Sequence, residues 1–98
     1  MNPSLYRLRV PDSVAELLRD MHPESKRRIR ASLQIISGNP DEGKALRDEL
    51  AGLRSMRVGR FRIVYRVRRN IIEIVAVGPR TRIYEETARL IKKERRPE

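Results

Sequence analysis

The chain has 98 residues, the length of a single domain, and a formal net charge of +10 at pH 7. It has no cysteine and one histidine, which excludes disulfides, thiol nucleophiles and metal sites built on cysteine or histidine clusters. Its beginning, MNPSLYRLRV, lacks the apolar region of a secretory signal, and no apolar stretch has the length of a membrane span. We therefore expect one cytoplasmic domain over residues 1–98, with no membrane association, no metal site and no cofactor.

The chain opens with a predicted strand, residues 5–10, in which apolar residues and arginines alternate with the period of two typical of a half-buried strand. Pro11 ends this strand. A first helix follows, with Asp12 or Ser13 as its N-cap and Glu16 placed to complete a capping box with Ser13. Its predicted apolar face consists of Val14, Leu17, Leu18 and Met21.

A second helix is predicted from Pro23 to Ser37, because proline is favoured at the first helical position and a glycine, here Gly38, just after the last one. The two helices would form a hairpin. The buried face of the second helix is predicted from helical spacing to be Ile29, Leu33 and Ile36. Residues 39–53 follow as a polar connector, which we predict to be a loop with a short turn of helix.

Three antiparallel strands are predicted next, over residues 55–58, 60–68 and 71–77, joined as a β-meander by tight turns. In the second turn, Asn70 is suited to positive φ. The third strand is apolar on both faces apart from Glu73, which predicts an interior strand and a neighbouring arginine as the partner of Glu73.

A last helix is predicted from Tyr84 to about Lys93, with Leu90 and Ile91 facing inward, and the charged tail after it is expected to fray. The predicted fold class is therefore α+β, in the order strand, helix, helix, three strands, helix. We expect the helical hairpin to pack on one face of the sheet and the arginines to occupy the other.

Arginine is concentrated in the predicted meander. The run from Arg54 to Arg82 holds nine arginines and one acid, and so carries +8 of the chain's +10. Like charges at this density destabilise a compact state, so a polyanionic partner is the simplest reason to keep them. Nucleic acid is the first candidate, because phosphate binds guanidinium through paired hydrogen bonds as well as through charge. A merely solvated surface is the alternative.

Tyr65 shares a face with Phe61 and Ile63 and is predicted to belong to the core.

Two motifs carry a resemblance to a known family. LRSMRVGRFRIVY at residues 53–65 matches a hairpin motif, and VGPRTRIY at residues 77–84 is similar to an ending motif, of the RelE/ParE superfamily of type II toxin–antitoxin toxins. The opening strand and the helical hairpin fit as well, so the chain is identified as a member. On one fold, this superfamily contains ribosome-dependent mRNA endonucleases and inhibitors of DNA gyrase.

The resemblance to RelE-type endonucleases implies metal-independent cleavage of mRNA in the ribosomal A site, by attack of a 2′-hydroxyl on the adjacent phosphate. It also implies the site residues. Arg57 and Ser55 stand near positions where RelE has catalytic lysines, so the chain lacks both lysines. The predicted catalytic residues are Arg57, Arg62, Arg80 and Tyr84. The predicted RNA- and ribosome-binding residues are Arg54, Arg60, Arg66, Arg68 and Arg82.

The chemistry assigns different tasks to these residue types. Arginine stays protonated, so it stabilises charge on phosphate oxygens but is a poor proton acceptor. Tyr84 is the more credible acceptor, because neighbouring guanidinium groups favour the phenolate form. The same ring would alternatively stack on an RNA base or pack in the core.

The leading hypothesis is thus a RelE-type mRNA interferase, silenced by a cognate acidic, partly disordered antitoxin, with operator DNA contacted only through the antitoxin complex. The alternative is a ParE-type inhibitor of DNA gyrase without nuclease activity. Arg80 and Tyr84 favour the nuclease, whereas the missing lysines favour the alternative. A third hypothesis is an RNA-binding module without activity.

Overall fold

The computed structural model describes residues 6–94, so the first residue of the predicted opening strand and residues 95–98 of the predicted tail lie outside that range. Residues 92–94, which were expected to fray with the tail, belong to the last helix. Three α-helices pack on a mixed sheet, which confirms the predicted α+β class. Within residues 6–94, no helix has the length and apolar character needed to cross a membrane. The elements are β1 (Arg7–Arg9), α1 (Asp12–Arg19), α2 (Pro23–Gly38), β2 (Lys44–Ala45), β3 (Arg54–Val58), β4 (Phe61–Arg68), β5 (Ile71–Pro79) and α3 (Ile83–Glu94). The strand order in the sheet is β1-β5-β4-β3-β2.

The predicted helical hairpin is present, with differences at the helix ends. The N-cap of α1 is Pro11 and provides no side-chain bond, so the predicted cap at Asp12 or Ser13 is wrong. Asp12 already lies in the first turn and contributes its negative charge there. Helix α2 begins at Pro23 as predicted but includes Gly38.

The sheet is built around the predicted meander. Strands β3, β4 and β5 are antiparallel neighbours, and β5 is an interior strand because β1 pairs with it in parallel on its other side. The connector contains a strand that was not predicted: β2 pairs with β3, between turns of 3₁₀ helix at Pro40–Glu42 and Asp48–Leu50. Strand β2 has only two residues, too few to show the alternation of apolar and polar residues by which a strand is predicted. In the β4–β5 turn, Arg69 and not Asn70 takes positive φ (57°).

Each face of the sheet has its own core. Helices α1 and α2 cover what we call the hairpin face, where Ile29, Leu33 and Ile36 are buried, as predicted, against β4 and β5. Helix α3 covers part of the opposite face, which we call the α3 face. The second core on that face consists of Leu53, Val64, Ala76, Ile83 and Ile91. Arg62 and Arg66 lie on this face, as expected, but they share it with α3 and the core beneath that helix.

Two leucines predicted to face inward are exposed, Leu17 by 40% and Leu90 by 46%. Helix α3 buries Ile83, Thr87 and Ile91, which repeat every four residues along one stripe. Leu90 precedes Ile91 by one position and so points about 100° away from that stripe.

Tyr65 fixes the connector to the hairpin-face core. Its side chain is fully buried, as predicted, and its hydroxyl donates to the Pro40 carbonyl (2.7 Å) and accepts the Gly43 N–H (2.9 Å). A Cβ on Gly43 would lie 2.5 Å from that hydroxyl oxygen, so the approach requires glycine. The Nε of Arg54 donates to the Gly43 carbonyl (3.0 Å), which fixes the same loop from β3.

Arg66 ties the end of α3 to the sheet. Its Nε lies 2.8 Å from Oε1 of Glu73, the predicted type of partner for that acid, and its Nη2 lies 2.7 Å from Oε2 of Glu94. The hydrogen bond with Glu94 raises the pKa of Arg66 above its ordinary value, against the opposing effect of burial, and Glu73 raises it further. The charge of Arg66 is thus engaged in ion pairs that join α3 to the sheet.

Replacing Tyr65 with phenylalanine is expected to destabilise the protein by about 1–3 kcal/mol, because the Gly43 N–H would be buried without an acceptor. Urea unfolding followed by circular dichroism measures the change. Tyr6→Phe is the matched control, since the Tyr6 hydroxyl makes no hydrogen bond within residues 6–94. Equal effects of the two changes would contradict the prediction.

Alkaline pH should destabilise the wild type through the same residue. Burial raises the pKa of Tyr65 above its ordinary value, so in the alkaline range the folded chain binds more protons than the unfolded chain. The contribution of the protonated Tyr65 hydroxyl to the free energy of unfolding is complete below about pH 10 and is lost as the pH rises further. Between about pH 9 and about pH 11, wild type should therefore lose more stability than Tyr65→Phe. Parallel losses would refute this assignment.

Replacing Arg66 with methionine is expected to cost about 1–3 kcal/mol of unfolding free energy, because two carboxylates lose a charged hydrogen-bond donor. Arg57→Met, which removes an exposed arginine of the same sheet, should change it by less than about 0.5 kcal/mol. Chemical denaturation of both variants tests the difference, and similar values would show that the cluster adds no stability.

Candidate functional site

The structure distributes the predicted site arginines over both faces and both ends of the sheet. Arg54 lies on the hairpin face and is bonded to loop carbonyls, while Arg66 is paired with two carboxylates. Arg68 is exposed at the far end of β4, six residues from Arg62 and so about 20 Å away along the strand. RNA contact by these residues stays a prediction, and for Arg54 and Arg66 the geometry does not favour it.

Two of the predicted catalytic residues meet at a serine. Ser55, which is buried, accepts hydrogen bonds at Oγ from Nη1 of Arg62 (3.0 Å) and from the hydroxyl of Tyr84 (3.2 Å). The guanidinium carbon of Arg62 lies 5.8 Å from the centre of the Tyr84 ring, a distance at which a cation and an aromatic face attract each other. Ser55 and Tyr84 thus hold the guanidinium of Arg62 in place from two sides.

Strand register and helix packing produce this meeting. On β4, Arg62 pairs with Arg57 of β3 on one side and with Gly78 of β5 on the other, and adjacent residues in register point to the same face. Ile83 is fully buried under the first turn of α3 and sets the rotation of that helix. Tyr84, the next residue, is thereby brought over the α3 face beside Ser55.

The loop after β5 reaches the same end of the sheet. The N–H of Arg80 donates to the carbonyl of Arg60 (2.8 Å), which joins the loop to the β3–β4 turn. The side chains of Arg80, Arg60 and Arg82 are exposed. Five arginines therefore gather where β3 and β5 end and β4 begins, and we call this group the arginine end: Arg57, Arg60, Arg62, Arg80 and Arg82.

The arginine end carries uncompensated charge. Within residues 6–94, none of its five side chains forms an ion pair with a carboxylate. Arg57 donates through Nε to the Gly59 carbonyl (3.2 Å), which orients its guanidinium without neutralising it. Such a cluster of positive charge favours binding of an anion, and paired guanidinium groups favour phosphate.

Sequence reasoning missed two residues of this site. Ser55 is not among the residues predicted for the site, and its signal in the sequence is a polar residue at a buried position of an arginine-rich hairpin. Glu86 has no sequence signal, since acids are common in the first turn of any helix. In the structure, its Oε1 lies 3.4 Å from the position that a Cβ on Gly78 would take, so a carboxylate approaches the strand beside Arg62.

In the described part of the chain, no three histidine, aspartate or glutamate residues are grouped to hold a metal ion.

The fold and the sequence both match known toxins. The toxin–antitoxin complex RelBE2 of Mycobacterium tuberculosis contains a chain that is 28% identical over 79% of this chain and 100% of its own, with a TM-score of 0.70. The archaeal RelE–RelB complex of Pyrococcus horikoshii gives 25% identity over 79% and 97%, with a TM-score of 0.65. A free Escherichia coli RelE variant shares the fold, with a TM-score of 0.75 and 16% identity over 95% and 100%. No curated protein sequence gives a significant match.

The family model described as the ParE toxin of the type II toxin–antitoxin system parDE matches residues 5–84. This match spans both sequence motifs and every element from β1 to the first two residues of α3. The chain therefore belongs to the ParE toxin family of type II toxin–antitoxin systems, within the RelE/ParE superfamily.

Proposed function

We propose that this toxin is an endoribonuclease that cleaves mRNA in the A site of the ribosome. The observation that carries the proposal is the meeting of Arg62 and Tyr84 on Ser55, with Arg57 directly across the strand pair. This arrangement presents two guanidinium groups and a phenol on one exposed end of the sheet. It supplies charge and orientation, which are the contributions that an enzyme acting on a positioned substrate needs most.

The reaction would be an in-line transesterification. The 2′-oxygen bonds to the adjacent phosphorus as the bond from phosphorus to the 5′-oxygen breaks, and the 2′-proton passes to a base while the 5′-oxygen gains a proton. Arg62 and Arg57 would hold the non-bridging oxygens, where negative charge develops. Arg80, which is joined to the β3–β4 turn, would hold the same phosphate or the leaving oxygen.

The structure favours a positioning role for Tyr84 over a role as base. Its hydroxyl donates a hydrogen bond to Ser55 and its ring lies 5.8 Å from the guanidinium carbon of Arg62, and both contacts favour a role in orienting that guanidinium. Glu86 offers a carboxylate at Gly78, the residue that pairs with Arg62. We assign the 2′-proton to Glu86, with Tyr84 fixing the guanidinium of Arg62.

Arg62→Ala is expected to lower the rate of cleavage of ribosome-bound mRNA by about 10²–10³-fold, because one donor to the developing charge is lost. Tyr84→Phe and Glu86→Gln should each lower it by about 10²-fold or more, because the first removes the hydroxyl contact that orients Arg62 and the second removes the base. The measurement is the mapping of cut positions on mRNA in translating ribosomes. Arg89→Ala, which removes an exposed arginine of α3 outside the site, is the matched control. Unchanged cleavage by Arg62→Ala would refute the proposal.

Ser55→Ala should lower the maximal rate by about 10-fold with little change in substrate binding, because Arg62 keeps its charge but loses its fixed position. Single-turnover rates at several ribosome concentrations separate the two effects. Ser37→Ala, a serine of α2 remote from the site, controls for loss of a hydroxyl. A variant that binds poorly but reacts normally would contradict the positioning role.

The family match favours a second candidate, inhibition of DNA gyrase without nuclease activity. The two candidates make opposite predictions in one experiment. A gyrase inhibitor leaves ribosome-bound mRNA intact and causes gyrase-dependent DNA breaks, whereas an mRNA endonuclease cuts at defined codon positions and leaves DNA unbroken.

We also propose that a cognate antitoxin binds this toxin, as the RelB chains do in the two related complexes. The net charge of +10 favours an acidic partner, and a partly disordered chain suits a surface that spans both faces of the sheet.

A further inference from the structure

A small cavity opens beside the arginine end on the hairpin face. Its volume is about 190 Å³, and helix α2 and the β3–β4 turn line it with Ser25, Arg28, Val58, Gly59, Arg60 and Phe61. Ser25 and Arg28 lie three positions apart in α2 and therefore share one side of that helix. The cavity thus brings a hydroxyl and two guanidinium groups from separate elements together.

The guanidinium of Arg28 lies against the backbone of the β3–β4 turn. Gly59 has positive φ (+62°), and a Cβ there would lie 3.3 Å from Nη1 of Arg28. Glycine at this position therefore both makes the turn and leaves room for the guanidinium. Within residues 6–94, no carboxylate pairs with Arg28, so its charge is available at the cavity.

The cavity and the proposed reaction site lie on opposite sides of the β3–β4 turn. Arg57, which faces Arg62 on the α3 face, donates to the carbonyl of Gly59, whose other side carries Arg28. The turn lies two residues beyond Arg57, about 7 Å along the strand. An RNA strand that leaves the Arg57–Arg62 pair and passes over this end of the sheet arrives at Arg28.

We propose that Ser25, Arg28 and Arg60 form a second phosphate subsite, which holds a backbone phosphate of the single-stranded RNA substrate next to the one that is cleaved. This inference rests on the proposed function, since it extends the same RNA path. The guanidinium of Arg28 donates charge-assisted hydrogen bonds to the phosphate oxygens, and the Ser25 hydroxyl donates a further hydrogen bond.

The test measures binding of a short RNA oligonucleotide whose 2′-hydroxyl groups are methylated, so that the 2′-oxygen cannot attack and no cleavage occurs. Fluorescence anisotropy is recorded from low salt to about 0.2 M salt. Arg28→Gln should reduce the magnitude of the log–log salt slope by about 0.7, the contribution of one single-strand phosphate contact, and weaken binding about 5-fold near 0.1 M salt. Arg27→Gln, the neighbouring exposed arginine that does not line the cavity, should change both quantities much less.

Equal effects of Arg28→Gln and Arg27→Gln, with wild-type binding intact, would overturn the subsite and leave the proposed cleavage site standing. Absence of RNA binding by the wild type would overturn the RNA path altogether. A thermal unfolding curve for each variant checks that the fold is kept, and Ser25→Ala provides an independent variant that removes no charge and should weaken binding without changing the salt slope.

Discussion

Burial of the second face of the sheet by α3 is the constraint on which the rest of this structure depends. Val64 and Ala76 need an apolar cover, and Ile83 and Ile91 provide it. Once Ile83 is fixed, the following residue, Tyr84, comes to lie beside Ser55 and over Arg62. The helix that completes the core therefore also completes the candidate site.

The same packing decides which arginines are available to a partner. Helix α3 crosses the face and ends with Glu94 at Arg66, so the arginine in the middle of β4 becomes part of an ion cluster. Arg54 likewise donates hydrogen bonds to the carbonyls of Gly43 and Asp41 on the hairpin face. Within residues 6–94 the side chains of the arginine end form no ion pair, so positive charge stays concentrated at that end of the sheet.

Ser55 illustrates how an uncharged residue can contribute to a site made mainly of charged ones. The buried hydroxyl adds no charge, but it accepts from two side chains and so limits their freedom. A fixed guanidinium needs less reorganisation to stabilise a phosphate than a mobile one does, which is the advantage of orientation over additional charge.

Much of the fold could be predicted from the residues. Alternation predicted the meander and the burial of Tyr65, and helical spacing predicted the buried face of α2. The prediction failed where a pattern is too short or depends on a neighbour. Strand β2 has only two residues, and the positive φ of the β4–β5 turn falls at Arg69 instead of Asn70. In α3, Ile91 is buried against the sheet, so Leu90 points away from it.

By itself, the sequence determined the chain's charge, its secondary structure in outline and its family, because composition, periodicity and motif spacing are local properties of the chain. Only the tertiary structure decided that Arg62 and Tyr84 meet on Ser55, that Arg66 and Arg54 are held by the protein, and that Arg28 reaches the β3–β4 turn. Those outcomes depend on which helix covers which face and how it is rotated, and contacts between residues far apart in the chain set both.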